Sequence, residues 1–384
     1  MNSNKKKVVV LTSVHPFNDT RIFYKECLSL SRNGYEVTLI CPSSEDVSSD
    51  EITIKTIKKE TKRVKRILFS TMRIILLAMK ENADFYHFHD PELIPAGIIL
   101  RFLRDTNVIY DIHEDNPSVV LERSWIPSAF QKILSLGVDK VEKFVSRYFD
   151  ALITADDAVA NRLKGINSNI IILYNFPDLY FYENCVKRQL FQYKNIRLVY
   201  IGVISESRGL WLMLDAIKIL INDFNIDNLR LHLAGKIFNE NVREEFQKIG
   251  TTDPIYKEKV VWLGRIPQER VIDLLDKSDI GWIPFLDTEK FLNNIPTKQF
   301  EYMARGIPIV GSDLPPIRKY VIEANAGLLA KPNDPKSHAR EIYALIKNKQ
   351  KANLFGKNGM KKVKEEYNWH SQEKKLLSLY KELT

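Results

Sequence analysis

The residues whose types and spacing carry the most chemistry run from Asn293 to Val310, Asn-Asn-Ile-Pro-Thr-Lys-Gln-Phe-Glu-Tyr-Met-Ala-Arg-Gly-Ile-Pro-Ile-Val. A polar loop passes through Pro296 and Thr297 into a short amphipathic helix and then into an apolar strand. A helix start offers unpaired backbone N–H groups and the positive end of its dipole to an anion. Lys298 adds a full charge there, and Glu301, one turn on, can accept hydrogen bonds from a diol such as ribose. Together these groups describe a cradle for a nucleoside diphosphate. The plainer alternative is a turn followed by a helix whose glutamate sits near the favourable end of the dipole.

The order Pro296-Thr297-Lys298-x-Phe300-Glu301-Tyr302-Met303-Ala304-x-Gly306-x-Pro308 resembles the donor-binding helix of retaining glycosyltransferases of family four. These are α/β enzymes of two Rossmann-like domains, the GT-B fold. The resemblance implies that Glu301 holds the nucleotide ribose. Such enzymes carry a second glutamate eight positions earlier, where this chain has Asn293. An amide there meets the donor sugar without a negative charge, which bears on which sugar moves and how the transition state is stabilised. In the loop Val199–Leu210, Gly202 lets backbone approach a ligand. The family has an arginine directly after that glycine and a lysine six after it, whereas here the two positions hold Val203 and Arg208. Arg208 and Lys298 are therefore the diphosphate cations that the resemblance implies. It also implies that backbone groups at Arg265 and Ile266, after Gly264, hold the nucleobase, and that His113, in Tyr-Asp-x-His-Glu-Asp, lies against the donor sugar.

A glycosidase-like carboxylate pair is not assignable. A nucleotide-sugar donor brings its own leaving group, so the demand on the protein is electrostatic: neutralise the departing diphosphate and stabilise an oxocarbenium-like sugar. In retaining members the leaving phosphate takes the acceptor's proton on the same face, with no enzymic nucleophile. No Asp-x-Asp occurs, so neither a metal nor any other cofactor is expected.

The elements that must position these residues alternate as parallel α/β units do. In the first half, strands are predicted at Val8–Thr12, Glu36–Cys41, Phe85–Phe88, Asn107–Asp111, Ala151–Thr154 and Ile170–Leu173, with a helix over Thr20–Asn33 ending at Gly34. The pattern restarts with strands at Arg197–Ile201, Leu229–Ala234, Val260–Leu263, Ile280–Ile283, Pro308–Val310 and Gly327–Leu329. The expected organisation is an acceptor domain over residues 1–180, joined by a closing helix over 368–384, a hinge at 181–194, and a donor domain over 195–367. Ligands of open parallel sheets gather beyond the carboxyl ends of strands. After the first strand, Ser13–Arg21 is not a glycine-rich dinucleotide loop, and the expectation is that His15, Asn18 or Arg21 shapes the cleft. Alternatively Asp19 is a helix cap and Arg21 its salt partner. His87 and His89 share a strand face, but no third histidine stands at ligand spacing, so zinc is not favoured and His89 is read as part of a cleft wall or acceptor site.

Composition bounds the rest. With 384 residues and 45% hydrophobic side chains, the chain is long enough for two packed domains and is not a disordered protein. Cys27, Cys41 and Cys185 are odd in number and widely spaced, which indicates neither a disulfide framework nor a thiolate zinc site and fits a reducing cytoplasm. No apolar run is long enough to span a bilayer, and the polar start leaves no room for a signal peptide. Seven lysines and arginines between Lys55 and Arg66 lead into apolar positions up to Met79. This stretch reads either as a helix lying on an anionic membrane surface or as a solvated, basic-capped helix packed on a sheet. The first reading gives a peripheral enzyme at the cytoplasmic face of a membrane, acting on a lipid-linked or oligosaccharide acceptor. The rivals are a sugar-nucleotide epimerase, a non-catalytic nucleotide-binding subunit, and a nucleic-acid binder, which the basic run contradicts by lacking stacking aromatics.

Overall fold

The computed structural model describes residues 5–45, 47–60, 65–121, 126–178 and 190–384. Cys185 and, in the basic stretch, Lys62, Arg63 and Val64 lie outside them. The chain divides into two compact units, one of residues 1–175 with 369–384, the other of residues 176–368.

The first unit holds the strands β1 (Lys7–Leu11), β2 (Glu36–Ser43), β3 (Thr53–Lys58), β4 (Phe85–Phe88), β5 (Asn107–Ile112), β6 (Ala151–Thr154) and β7 (Ile170–Ile172) in the order β3-β2-β1-β4-β5-β6-β7, every pair parallel. A strand in the middle of such a sheet is covered on both faces, which is why β1 reads Val-Val-Val-Leu rather than alternating. Val9 and Leu11 enter one core, with the helices Thr71–Ala78 and Ile94–Leu103. Val8 and Val10 enter the other, with the closing helix Trp369–Glu382, whose Trp369 Nε1 donates to Ser29 Oγ at 2.9 Å.

Two readings of the first unit change. The predicted helix over Thr20–Asn33 begins as a π-helical segment, Thr20–Cys27, capped by Asp19, and turns α-helical over Leu28–Arg32. The basic stretch is not one helix: Lys55 and Lys58 lie on β3, the edge strand of the sheet, where lysines deter edge-to-edge pairing. The Thr-Ile-Lys-Thr-Ile-Lys alternation is a strand signal overshadowed by the charge run that follows it.

The second unit has β8 (Ile196–Ile201), β9 (Leu229–Ala234), β10 (Val260–Gly264), β11 (Ile280–Ile283), β12 (Ile309–Ser312) and β13 (Gly327–Ala330) in the order β10-β9-β8-β11-β12-β13, again all parallel. In each sheet the order reverses beside the first strand, between β1 and β4 and between β8 and β11. A crevice opens at the carboxyl ends of strands at such a switch point. The loops that follow β1, β4, β8 and β11 are therefore the places to look for chemistry.

Candidate functional sites in the two units

In the second unit, β8 runs into Gly202, at φ +101°, and β11 into Pro284 and Phe285. The two loops touch at Gly209, where an added Cβ would fall 2.0 Å from the Pro284 carbonyl oxygen, so this close approach requires glycine. The helix Lys298–Ala304 is anchored beneath β8 by Tyr302, whose buried hydroxyl accepts from Ile201 N and lies within hydrogen-bond reach of the Val199 carbonyl, both at 3.2 Å. That anchor fixes where Lys298 points.

Lys298 Nζ is buried, has no hydrogen-bond partner among the described residues, and lies 3.6 Å from the point where a Cβ of Gly202 would be. It rests 3.6 Å from the Tyr200 ring centroid and 4.7 Å from that of Phe285. The Arg208 guanidinium lies 5.8 Å and 5.9 Å from the rings of Phe285 and Phe291. Burial, then repulsion by Arg208, holds the Lys298 ammonium well below the usual lysine range, against a smaller pull from Glu301. Two cations held close over shared aromatic faces cost free energy that an anion between them would return. The aromatic floor of Tyr200, Phe285 and Phe291 was missed from sequence; its signal was Tyr200 and Phe285 at the ends of the strands flanking the switch point, with Phe291 added from the helix Glu289–Asn293.

The helix amides contribute less than the sequence promised. Gln299 N and Phe300 N donate to the carbonyls of Pro296 and Thr297 at 3.2 and 3.0 Å, and Glu301 N donates to Thr297 at 3.4 Å. The positive charge here comes chiefly from side chains. Pro296 is buried, while Thr297 and Glu301 are half-buried. Asn293 is exposed at the end of the helix Glu289–Asn293. Arg265 is exposed and Ile266 half-buried, following Gly264 at the end of the edge strand β10, two strands across the sheet from β8.

In the first unit the loop after β1 is tied by the Asp90 carboxylate, which accepts from Thr12 Oγ1 and Ser13 N, both at 2.7 Å, and from Val14 N at 3.2 Å. The carboxylate thereby takes up the loop amides that a glycine-rich dinucleotide loop would leave for a phosphate. His15 is half-buried, 3.1 Å from Asp19 and 3.5 Å from Asp90, and those carboxylates raise its pKa against the opposing effect of burial. Asn18 is exposed. Four of the chain's seven histidines form a row, with ring centroids 4.6 Å apart for His87 and His89, 5.0 Å for His89 and His113, and 5.4 Å for His113 and His15.

Two residues are not where the sequence put them. Arg21 is not a cleft residue: it is buried, 3.0 and 3.1 Å from the two Asp111 oxygens and 2.8 Å from Glu26. His89 is not a cleft wall, since its side chain is fully buried. Of the row's inner members, His113 keeps an 18% exposed side chain, and burial holds its pKa down to about 3. Candidate ligand atoms of Glu26, His87, His89 and Asp111 lie within 4.8 Å of one another. Arg21 already occupies both carboxylates, so a cation there would displace a buried guanidinium.

Comparison with known proteins agrees with this architecture. Residues 21–180 match the family Glycosyltransferase Family 4, and residues 183–362 match Glycosyl transferases group 1. The chain is 24% identical to a chitobiosyldiphosphodolichol beta-mannosyltransferase of Candida albicans, over 90% of this chain and 81% of that one. It is 22% identical to a phosphatidyl-myo-inositol mannosyltransferase of Mycobacterium leprae, over 90% and 88%. Among solved structures, it superimposes on a sucrose-phosphate synthase of Thermosynechococcus elongatus with a TM-score of 0.75 at 16% identity, covering 99% of each chain. An Anabaena HepE protein in complex with UDP and glucose gives 0.73 at 14% identity, over 98% of this chain and 100% of that one.

Proposed function

Since the chain belongs to the two-domain, GT-B glycosyltransferases of family four, we propose that it moves a sugar from a nucleotide-diphosphate sugar to a lipid-linked glycan acceptor, with retention and without a metal. The observation that carries the donor half is Lys298, a buried ammonium with no hydrogen-bond partner among the described residues, beside Arg208 on an aromatic floor. In this reading the two cations hold the diphosphate and gain most as its charge grows in the transition state. Glu301 takes the ribose, Asn293 and His113 face the donor sugar, and Arg265 and Ile266 flank the base. Relatives named for mannosyl transfer to dolichol-linked and phosphatidylinositol acceptors support a lipid-linked acceptor.

Nucleotide sugars of different bases should be compared for saturable protection against thermal unfolding, and the preferred one used for transfer. Turnover is expected to continue in excess EDTA, with proton NMR showing the donor's anomeric configuration kept in the product. The Candida relative is named for a beta-mannosyl product, which makes stereochemistry the sharper arm. An inverted linkage would refute retention; activity returning only with a divalent ion would refute metal independence.

Membrane association has support beyond the basic stretch. The helices covering one face of the first sheet turn apolar side chains outward: Leu68, Met72, Phe102, Ile133, Leu136 and Phe144 are each more than half exposed. In the helix Ser128–Ser146 the buried residues are Glu142 and Ser146, so its polarity is inverted relative to a helix that faces water. Lys58, Lys59, Lys132, Lys140 and Arg147 are exposed on the same elements or beside them. No helix among the described residues is long and apolar enough to cross a membrane, so the reading is peripheral docking at the cytoplasmic face. Each basic residue contributes roughly 1 kcal/mol at an anionic surface. The protein should therefore co-sediment with anionic but not neutral vesicles at low salt. Changing Lys58, Lys59, Lys132 and Lys140 to glutamate should abolish this. Equal sedimentation of both proteins, or none for the native chain, would remove the membrane from the proposal.

A further inference from the structure

We infer that Phe238 stacks on the nucleobase of the donor, with Lys236 covering the other face of its ring. The inference deepens the proposed function: it rests on that reading's placement of the diphosphate at Lys298 and Arg208 and of the base at the end of β10, and adds a side chain that grips the base.

Strand β9 lies between β8 and β10, all three parallel, so its loop leaves the sheet between Gly202 and the Arg265–Ile266 backbone. Two strand spacings separate β8 from β10, about 10 Å, comparable with the reach of a nucleoside diphosphate from its outer phosphate to its base. A nucleotide whose diphosphate sits over β8 and β11 and whose base sits at β10 therefore crosses the end of β9. On the other side of β11 the chain leaves β12 through Ser312 and Leu314, both buried, so the open aromatic surface lies toward β9.

The β9 loop is fixed on both sides. Ile204 N donates to the Lys236 carbonyl at 3.1 Å, Ile204 and Ile237 form a parallel bridge, and Trp262 Nε1, from β10, donates to the Gly235 carbonyl at 2.9 Å. Asn239 then caps the helix Glu240–Thr252, accepting from Val242 N at 3.4 Å. On this fixed loop Phe238 is 66% exposed, more than any other aromatic side chain of the second unit among the described residues. Lone apolar side chains are common on surfaces, and one placed just before a helix cap ordinarily packs on the residue four positions past the cap. Here that residue is Arg243, which pairs instead with Glu240. The local packing that would explain Phe238 is thus missing. Lys236 Nζ stands over one face of the ring, 5.0 Å from its centroid. The opposite face is left for a planar ligand, and every nucleobase has a π-face to offer it.

Titration calorimetry tests this. Whichever of UDP, GDP and ADP binds the native chain most tightly is compared with inorganic pyrophosphate, which has the charge and no base. Phe238→Ala should weaken the nucleotide at least about fivefold, the lower end of what one base–aromatic stack is worth. Pyrophosphate affinity should stay within about twofold of native, since the ring is remote from the phosphates. Phe238→Tyr keeps the ring and should bind the nucleotide within about twofold of native. In Phe238→Trp the added indole fluorescence should be quenched by the nucleotide and not by pyrophosphate. The side chain is exposed, so these variants should fold as the native chain does. A loss smaller than fivefold in Phe238→Ala, an equal loss for pyrophosphate, or a Tyr variant as weak as the Ala variant would overturn the inference and leave the proposed function standing. A native chain that binds neither the nucleotides nor pyrophosphate would overturn the proposed function, and this inference with it.

Discussion

Lys298→Ala lowers turnover ~10² to 10³-fold, the usual loss when one preorganised group is removed from developing charge, while nucleoside diphosphate affinity falls by less. The asymmetry follows from where the charge is. In the bound donor the diphosphate charge is shared with the sugar bond, and in the transition state it has largely moved onto the leaving oxygens, so a cation beside them counts for more. Glu301→Gln should behave oppositely, weakening nucleoside diphosphate binding through the ribose with a smaller effect on kcat. Lys298 also predicts a pH dependence. Burial and Arg208 depress its pKa in the free protein, and a bound anion must raise it again. Binding therefore takes up a proton, and affinity declines as pH rises above the free-protein pKa. Titration calorimetry in two buffers of different ionisation enthalpy measures that uptake. Equal loss of binding and turnover in Lys298→Ala, or proton release on binding, would remove Lys298 from the leaving-group role.

The frame of both sheets was legible because a strand buried on both faces has little choice of residue: Val8 to Leu11 and Leu198 to Ile201 announce themselves. That Lys298 and Glu301 share one short helix was legible because a short motif holds them one turn apart. The row of histidines was not, since Glu26, His89 and Asp111 come from three separate elements and become neighbours only once β1, β4 and β5 align. Periodicity says which face of a strand a residue takes, and nothing about which distant residue shares that face. For the same reason Arg21 read as a loop cation: its partner lies 90 positions away. The outward apolar residues of Ser128–Ser146 escaped because a hydrophobic pattern reads alike whether its face meets a core or a membrane.

Arg21→Leu should destabilise the first unit by ~3 to 5 kcal/mol at neutral pH, the cost of leaving a buried charge without its partner. Arg21 is 4% exposed, pairs with Asp111 through both oxygens and also donates to the Leu173 carbonyl at 2.8 Å. Leucine fills much of the volume but leaves the buried Asp111 carboxylate without its guanidinium, with His87, His89 and His113 near it. For a unit of this size the shift in midpoint temperature is on the order of 10 °C. The sign with pH follows from Asp111. In the native chain its pKa is depressed, so the pair's stabilisation is present above the ordinary carboxylate range and is lost as pH falls through the depressed value. In the variant burial is opposed only by the neighbouring histidines, so that pKa rises from its native value and the stranded carboxylate is protonated more readily as pH falls. The gap between the two proteins should therefore narrow on acidification. Replacing Asp111 as well, in Arg21→Leu/Asp111→Leu, should recover part of the loss, because the stranded charge is gone. Denaturant unfolding at neutral and mildly acid pH measures all three. A single variant within 1 kcal/mol of native, or a gap that widens in acid, would mean that Arg21 does not hold Asp111 ionised.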